Sequence, residues 1–419
     1  MPQLLLDPTP AHKHMSYDER VCSVCMGHRA LCGVRPCPLV MRAKAIANIE
    51  QAVPGTSLEG SSPPSVFVGS YGYPKVLAGP LVPPVRGSET ALMERPDLWL
   101  DKTLDQILAL RFSLIRTKRP LPVDAAIDPP RLLAETQTMA LSETPTASEA
   151  TLLKRPQFTA IISSKTLPIG PSAPLHSFQL EDNPSVPKAV NRVTSDTDLK
   201  AVPGVMTLFR EGISQQHLTR LFSVGLLGTK RTRKLVPTEW SITAVDDIIG
   251  RRLHREVLQY EWVSDIMLFV DHALGNTVAI LMNPGPWEFE ALECWLTGPR
   301  PHVISDYEYT HGRKEYAKAV VGAYYATRLP VLEYLSEQRR QASAIVFMEI
   351  DPKRWVPLGV WRFREIARRA LSGSGKSFST TEEAIEDLAT HLRNPVASYL
   401  EKSIIYRSLG TQTRLTEFF

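Results

Sequence analysis

The stretch that decides the fold class runs from Asn276 to Trp295 and reads NTVAILMNPGPWEFEALECW. Two runs of mostly apolar residues flank Asn283–Pro286, and such a cluster of proline, glycine and asparagine favours a turn. We therefore predict two strands joined by this turn. Val66–Gly69, followed by a second run after Pro74, predicts another strand, glycine loop and strand, which is typical of a hairpin in an antiparallel sheet.

In much of the remaining chain, apolar residues recur at the spacing of a helix. We predict helices at Asp97–Arg116, Pro130–Ser142, Arg313–Glu337 and Trp361–Leu371, and a strand at Lys188–Val193. The third of these helices is expected to be interrupted at Pro330. Arg111, Arg116, Lys118 and Arg119 gather at the end of the first of these helices, where the helix dipole favours cations whether or not a ligand binds. Together these elements predict an α+β fold, a mixed body with antiparallel strands and a helical C-terminal region.

Composition bounds the class of protein. The chain of 419 residues has 43% hydrophobic and 22% charged residues, as expected for a globular protein that divides into two or three domains. The 48 Lys and Arg against 44 Asp and Glu leave a net charge of +4, which by itself does not identify a nucleic-acid binder. We find neither an apolar run of membrane-spanning length nor a signal-peptide pattern, so we expect no membrane association and a cytoplasmic, intracellular protein.

Four of the five cysteines are concentrated near the N-terminus, at Cys22, Cys25, Cys32 and Cys37. Thiolates bind zinc tetrahedrally, and a gap of two residues lets one tight turn present two sulfurs to the same ion. We therefore predict an N-terminal zinc knuckle with Zn²⁺ as cofactor, and an iron–sulfur cluster or unmetallated cysteines as alternatives. The knuckle is basic enough to touch DNA phosphates, although a structural role explains it at least as well. Cys294 is expected in the core.

The stretch after Gly228 is the strongest candidate for chemistry in the body of the chain. Lys230, Arg231, Arg233 and Lys234, which we call the basic turn, place four cations within five residues. This local density predicts binding to the phosphate groups of a nucleic acid. Trp240 follows closely and would stack on a base.

Two carboxylates come next in the sequence. Ser241 or Thr243 is expected to cap a helix that runs to about Gln259, with Asp246 and Asp247 in its first turn. That capping role explains both aspartates without catalysis. A carboxylate pair beside a phosphate-binding strip would instead suit metal-assisted phosphoryl chemistry, and this alternative stays open.

The last eight residues of the chain form a separate pattern. In a single 3₁₀-like turn, positions i and i+3 eclipse, so Leu415 and Phe418 would project together with Phe419 beside them. Gln412, Leu415, Phe418 and Phe419 match the PIP box, the peptide that binds the sliding clamp PCNA. The resemblance implies a client of the DNA replication or repair apparatus. The alternative is that both phenylalanines pack into the core of this protein.

The cysteine cluster, the stretch from Arg233 to Asp247 and the clamp-binding tail together resemble the archaeal Nre family of DNA repair proteins. The resemblance extends over nearly the whole chain and implies a role in the response to DNA damage at the nucleoid, with PCNA as partner. The expected domains are the zinc knuckle at 15–45, an Nre N-terminal-type α+β domain at 46–300, an Nre C-terminal-type region at 301–405 and a flexible tail with the PIP box at 406–419.

We therefore expect a DNA repair factor that PCNA recruits through the C-terminal PIP box and whose body contacts DNA. The alternative is an enzyme that acts on damaged DNA or on a nucleotide-derived adduct, with catalytic residues unknown. A clamp-tethered scaffold without DNA affinity is a third hypothesis. A deep polar pocket around Lys230–Asp247 and Tyr71 would favour the enzyme, whereas a shallow basic surface would favour the DNA binder.

Overall fold

The computed structural model describes residues 55–156, 170–297, 301–351 and 359–409, and single residues before them including Cys25 and Cys37. These residues divide into two units. Of the described residues, the N-terminal unit contains 55–156, 170–256 and 359–365, and the C-terminal unit contains 257–297, 301–351 and 366–409. Each unit combines helices with a six-stranded sheet, so the predicted α+β class is confirmed.

Six strands form the sheet of the N-terminal unit. They are β1 (Ser57–Ser62), β2 (Val66–Val68), β3 (Lys75–Val82), β4 (Ile115–Pro122), β5 (Thr146–Leu152) and β6 (Ser172–Leu180). Their order is β1-β5-β6-β4-β3-β2, and all neighbours are antiparallel except β4 and β6. The predicted hairpin is confirmed, because β2 and β3 pair around a loop in which Gly72 has a φ of 82° that favours glycine.

Several helices belong to the same unit as this sheet. They include α1 (Leu104–Phe112), α2 (Arg131–Leu141), α3 (Lys188–Ser195), α4 (Ala201–Arg210), α5 (Gln215–Ser223) and most of α6 (Thr238–Val257). Helix α2 agrees with the prediction. Its Leu133 joins Val68, Val76 and Leu121 of the sheet in one buried apolar cluster, which identifies the face that α2 covers. Leu110 of α1 instead packs with Phe67 and Leu81 on the other face.

The helix predicted at Asp97–Arg116 is wrong in its second half, because α1 ends at Phe112 and strand β4 follows. Ile115 and Thr117 are buried and alternate with the half-buried Arg116 and Lys118, which is the period of a strand. The β-branched Ile115 and Thr117 favour a strand over a helix. The helix dipole therefore does not account for these two cations.

The strand predicted at Lys188–Val193 is also wrong, since these residues belong to helix α3. Ala189, Val190 and Val193 are buried and recur at helical spacing. Pro187 occupies the N-cap position, where its fixed φ and missing N–H are tolerated. The short apolar run suited either structure, and packing of one helical face decided between them.

The C-terminal unit is built on a second sheet. Its strands are β7 (Glu261–Trp262), β8 (Ile266–Ala273), β9 (Asn276–Asn283), β10 (Glu288–Trp295), β11 (Val303–Glu308), β12 (Arg340–Gln341), β13 (Ser343–Ile350) and β14 (Lys376–Phe378). The six-stranded order is β11-β10-β13-β9-β8-β14, and β7 pairs with β12. Both strands predicted around Asn283–Pro286 are confirmed, but the fully buried β13 lies between them.

Five helices contribute to the C-terminal unit. They are α7 (Gly322–Gln338), the residues of α8 (Trp361–Ser372) from Ile366 onward, α9 (Thr381–His391), α10 (Val396–Leu400) and α11 (Ile404–Leu409). The helix predicted from Arg313 begins only at Gly322, and the interruption expected at Pro330 is wrong, because one helix continues through this proline. Tyr399 and Ile405 pack with Phe347 of β13 in the core. Within the described part of the chain, we find no helix with the length and apolar character that a bilayer span requires.

A buried carboxylate on β11 holds the segment that leads into α7. Asp306 accepts hydrogen bonds from the backbone N–H groups of Lys318, Ala319 and Val320 at 3.1, 2.8 and 2.7 Å. The Arg313 guanidinium lies 3.0 Å from the same carboxylate. Because the acid is buried and each donor meets it at hydrogen-bond distance, this arrangement stabilises the unit.

Two further acids of this sheet hold the starts of the last helices. Glu290 on β10 accepts a 2.6 Å hydrogen bond from the Ser403 hydroxyl and a 3.0 Å bond from the backbone N–H of Ile404, where α11 begins. Glu349 on β13 accepts from the backbone N–H groups of Arg393 and Asn394, just before α10. Glu290 thus satisfies an N–H group that the start of α11 leaves without an acceptor, and Glu349 satisfies N–H groups of the segment between α9 and α10.

Candidate functional site

The basic turn lies between α5 and α6, and Lys230–Thr232 form one 3₁₀ turn within it. Lys230, Arg231 and Lys234 are exposed. Within the ranges that the structure describes, none of these three side chains pairs with a carboxylate. Three of the four predicted phosphate-binding residues are therefore available to an external anion.

Arg233 is placed differently from its neighbours. Its Nε donates to the Gly228 carbonyl at 3.0 Å and its Nη2 donates to the Thr194 carbonyl at 2.7 Å. Burial lowers the pKa of this guanidinium, and Asp196 partly offsets that effect. The side chain ties the turn to the end of α3, so its role is to position the other three cations.

Two exposed tyrosines and a half-buried tryptophan lie at the β2–β3 loop and the start of α6. Tyr71 is 92% exposed and Tyr73 is 48% exposed at the tip of the hairpin. The Tyr73 and Trp240 rings are 5.2 Å apart between centroids and inclined by 51°. We call Tyr71, Tyr73 and Trp240 the aromatic patch. Rings in this exposed setting can stack on nucleic-acid bases.

Backbone hydrogen bonds fix the hairpin against α6 and the basic turn. The Val68 N–H donates to the Thr238 hydroxyl at 3.0 Å. The Leu235 N–H donates to Val123 O at 2.7 Å, and the Val123 N–H donates to Pro74 O at 2.9 Å. Lys234 and Tyr73 thus adjoin the two ends of a short hydrogen-bonded ladder. The sequence indicated the cations and Trp240 but missed the pairing of Trp240 with Tyr73.

The capping role expected for Ser241 or Thr243 is wrong. Helix α6 begins at Thr238, and the Ser241 N–H already donates to Pro237 O within its first turn. Asp246 and Asp247 therefore lie in the middle of the helix. The proline carbonyl, and not a serine side chain, receives the first helical hydrogen bonds.

The two aspartates have different surroundings. Asp246 is 2% exposed and forms an ion pair with Arg364 of α8, which is also buried. Asp247 pairs at 2.7 Å with Arg251 one turn later on the helix surface. The structure does not bring these two carboxylates together as a pair of metal ligands.

An apolar gap lies between the sheet and α2, lined mainly by Val66, Val68, Leu121, Leu133 and Leu235. It is too small to hold a water molecule. Neither the four cations of the basic turn nor the aromatic patch lines it. This gap therefore belongs to the packed core, whereas Lys230, Arg231, Lys234 and Tyr71 are exposed outside it.

Only part of the predicted zinc knuckle falls within the described residues. Cys25 is buried and Cys37 is half-buried, whereas Cys22 and Cys32 lie outside the described residues. Among the residues that the structure does describe, we find no cluster of three His, Cys, Asp or Glu side chains fit to hold a metal. Cys294 is fully buried in β10, where burial raises the pKa of its thiol to about 11, so the prediction of a core residue is confirmed.

The predicted clamp-binding residues Gln412, Leu415, Phe418 and Phe419 also lie outside the described residues, which end at Leu409 in α11. Their role stays a prediction from the sequence.

Comparisons with known proteins cover most of the chain. The family model described as "Archaeal Nre, N-terminal" matches residues 31–299, and "Archaeal Nre, C-terminal" matches residues 308–418. The chain is 36% identical to the DNA repair protein NreB of Archaeoglobus fulgidus over 95% of this chain and 99% of the relative. It is 35% identical to NreA of the same organism over 95% and 98%.

The DNA repair protein NreA of Haloferax volcanii is 34% identical over 88% of this chain and 90% of its own length. No solved structure matches the chain. Because two family regions match in order and three relatives align along nearly their full lengths, the chain belongs to the archaeal Nre family.

Proposed function

We propose that this protein is a DNA repair factor that PCNA recruits through Gln412, Leu415, Phe418 and Phe419, and that its N-terminal unit contacts DNA. The observation that carries the repair role is the similarity, over most of the chain, to relatives that are named DNA repair proteins. The spacing of the four tail residues carries the role of the clamp. Such a role requires an intracellular protein at the nucleoid.

The exposed surface of the N-terminal unit supports the DNA contact. Lys230, Arg231 and Lys234 would neutralise backbone phosphates, and Tyr73 with Trp240 would stack on bases. Stacking of one base on an aromatic ring contributes about 1–3 kcal/mol and tolerates any sequence. The surface therefore suits recognition of a single-stranded or unpaired region over recognition of a particular sequence.

The test of this function is calorimetric titration of the full-length protein with its cognate sliding clamp. The variant with Phe418→Ala and Phe419→Ala should lose binding, because two aromatic anchors of an interface each contribute about 2 kcal/mol or more. That loss corresponds to a fall in affinity of roughly 1,000-fold or more.

A matched control changes two tail residues that the PIP pattern does not use, Thr413→Ala with Thr416→Ala, and should bind the clamp normally. Equal thermal denaturation of both variants would show that folding is intact. Clamp binding that survives the loss of both phenylalanines would refute recruitment through this tail.

We further propose that Cys22, Cys25, Cys32 and Cys37 hold a structural metal, with Zn²⁺ as the first choice and an iron–sulfur cluster as the alternative. Four thiolates are a donor set that suits either group. The metal would fix the fold of the N-terminal segment. The zinc and iron contents of the purified protein distinguish the two.

The enzymatic alternative remains a hypothesis without a described catalytic residue. The carboxylate with the strongest burial near the basic turn, Asp246, already has Arg364 as a partner. A change in the covalent structure of damaged DNA or of a nucleotide adduct on incubation with the protein would establish this alternative in place of a recruiting factor.

A further inference from the structure

Two cations on strand β4 have no evident structural role. Arg116 and Lys118 are two residues apart on the strand, so their side chains leave the same face of the sheet about 6.6 Å apart. Both are half-buried. They lie on the face opposite the covered core residues Ile115 and Thr117, beside Phe67 of β2 and Ser172 of β6.

The Arg116 guanidinium lies over the Phe67 ring, with its Cζ 4.8 Å from the ring centroid. Its Nε is buried and has no hydrogen-bond acceptor among the described residues. Burial lowers the pKa of this group. The ring orients the guanidinium but does not neutralise it, so its positive charge is uncompensated among the described residues.

The Lys118 ammonium has a single polar contact among the described residues, a 3.1 Å hydrogen bond to the Ser172 hydroxyl. Burial lowers its pKa, and the positive charge of Arg116 lowers it further. Ser172 is itself 6% exposed, so the ammonium is directed toward a buried hydroxyl. A lysine and an arginine thus lie close enough to repel each other.

The same unit supplies carboxylates to other arginines. Arg111 pairs with Glu94, and Arg86 pairs with both Glu59 and Glu181. No described carboxylate pairs with Arg116 or Lys118. The segment 157–169, which precedes β6, contains no Asp or Glu and adds one lysine.

Two half-buried cations without an anion destabilise the folded protein, because burial disfavours charge and like charges repel. Buried charges are normally paired. An anion between the two side chains would remove both costs at once. The arginine offers a planar fork of donors, the lysine a point charge and the Ser172 hydroxyl a neutral donor, which together match the oxygens of a phosphate group.

We propose that Arg116, Lys118 and Ser172 form a phosphate-binding site on the N-terminal unit. The shared chemistry is a phosphate mono- or diester, from a nucleic-acid backbone or from a small phosphorylated molecule. The choice of a nucleic-acid backbone as the source of the phosphate rests on the proposed contact with DNA. The existence of the anion site does not rest on that proposal. The test of this site is therefore independent of the test of clamp binding.

The first test is thermal denaturation of the full chain in inorganic phosphate and in chloride at equal ionic strength. Phosphate should raise the midpoint of the wild-type protein. The variant with Arg116→Gln and Lys118→Gln should show a smaller rise, because it keeps only the general stabilising effect of phosphate and any binding at the basic turn. Without phosphate it should unfold at the same temperature as the wild-type protein or higher, because the repulsion has been removed.

Two control variants separate the site from general effects of charge. Arg131→Gln with Lys188→Gln removes two exposed cations of the same unit and should keep the phosphate response. Exchange of the two residues, Arg116→Lys with Lys118→Arg, keeps both charges and should keep a response as well. The proposal would be overturned by a glutamine variant whose phosphate response equals that of the wild-type protein. It would also be overturned by an exchange variant that folds but responds no more than the glutamine variant.

A second arm identifies the source of the phosphate by fluorescence anisotropy with a labelled oligothymidylate. If a nucleic-acid backbone is the ligand, the slope of log K against log salt should be shallower for the glutamine variant than for the wild-type protein. The difference should be about 0.7 for each phosphate group that the variant no longer neutralises. An unchanged salt dependence, in a glutamine variant whose response to inorganic phosphate is reduced, would assign the site to a small phosphorylated molecule.

Discussion

The two six-stranded sheets differ in whether the described residues around their buried or half-buried charged side chains compensate the charge. The sheet of the C-terminal unit carries the acids Glu290, Asp306 and Glu349, and each accepts hydrogen bonds from backbone N–H groups of the same unit. The sheet of the N-terminal unit carries Arg116 and Lys118, for which the described residues supply no carboxylate. The acids of the C-terminal unit are compensated within the fold and stabilise it. The charges of Arg116 and Lys118 are not, and the proposed phosphate group would compensate them.

This difference separates two kinds of residue that look alike in the sequence. Asp306 was no more conspicuous than Asp246, and Arg116 was no more conspicuous than Arg111. Their roles follow from which groups the fold places beside them. We therefore expect changes in the C-terminal sheet to lower stability, and changes to the uncompensated cations to lower ligand binding with little effect on stability.

The largest effect should come from Asp306→Ala in the C-terminal unit. The substitution leaves three backbone N–H groups and the Arg313 guanidinium without their acceptor. Removal of one partner from a buried ion pair costs about 3–5 kcal/mol. Urea denaturation measures this loss, and Glu337→Ala, at an exposed acid of the same unit, provides the control. Equal losses for the two variants would contradict the comparison.

An intermediate effect should come from pH, through a buried histidine of the N-terminal unit. Burial, with a further contribution from the nearby Arg220, lowers the pKa of His217 to about 2. In the unfolded chain a histidine has a pKa of about 6.5. Below that pH the unfolded state binds the additional proton, so this contribution to stability is complete above pH 6.5 and falls with decreasing pH.

Between pH 6.5 and 5 the free energy of unfolding should fall by about 2 kcal/mol through His217, since one unit of pKa corresponds to about 1.36 kcal/mol. Urea denaturation at pH 7 and pH 5 measures it. The variant His217→Gln should show a smaller difference between the two pH values by that amount. If the pH dependence of the variant equals that of the wild-type protein, His217 does not carry the effect.

The smallest effect on stability should come from the basic turn. Replacement of Lys230, Arg231 and Lys234 by glutamine should change the free energy of unfolding by no more than about 0.5 kcal/mol, because these side chains are exposed. In binding to a single strand, the slope of log K against log salt should become shallower by up to about 2, at about 0.7 for each phosphate group that the variant no longer neutralises.

Arg233→Gln is the matched control for this prediction. It removes hydrogen bonds to the Gly228 and Thr194 carbonyls, so it should lower stability by about 1–3 kcal/mol. Its salt dependence should change less than that of the triple variant. A triple variant that binds DNA with an unchanged salt dependence would remove the basic turn from the proposed interface.

Much of the local structure could be predicted from the sequence where a turn signal or a regular period was strong. The runs on either side of Asn283–Pro286, the hairpin of β2 and β3, and helix α2 are confirmed. The predictions failed where a short apolar run suited two structures, as at Lys188–Val193. They also failed at Ser241, because the carbonyl of Pro237 accepts the first hydrogen bonds of α6.

The candidate site shows the same division. The density of cations at 230–234 and the nearby Trp240 were visible in the sequence, since both are local properties. The contact of Trp240 with Tyr73 was not, because these residues are far apart along the chain and meet only through packing of α6 against the hairpin. The use of Arg233 as a structural residue likewise depends on carbonyl groups that folding brings to it.

The sequence by itself determined the family, the α+β class, the position of the basic turn and the pattern of the tail. Each of these depends on residue type and spacing along the chain. Only the tertiary structure decided which charges are compensated. That property depends on the distances between Asp306 and the N–H groups before α7, or between Arg116 and the nearest carboxylate. A linear sequence does not contain those distances, because long-range packing sets them.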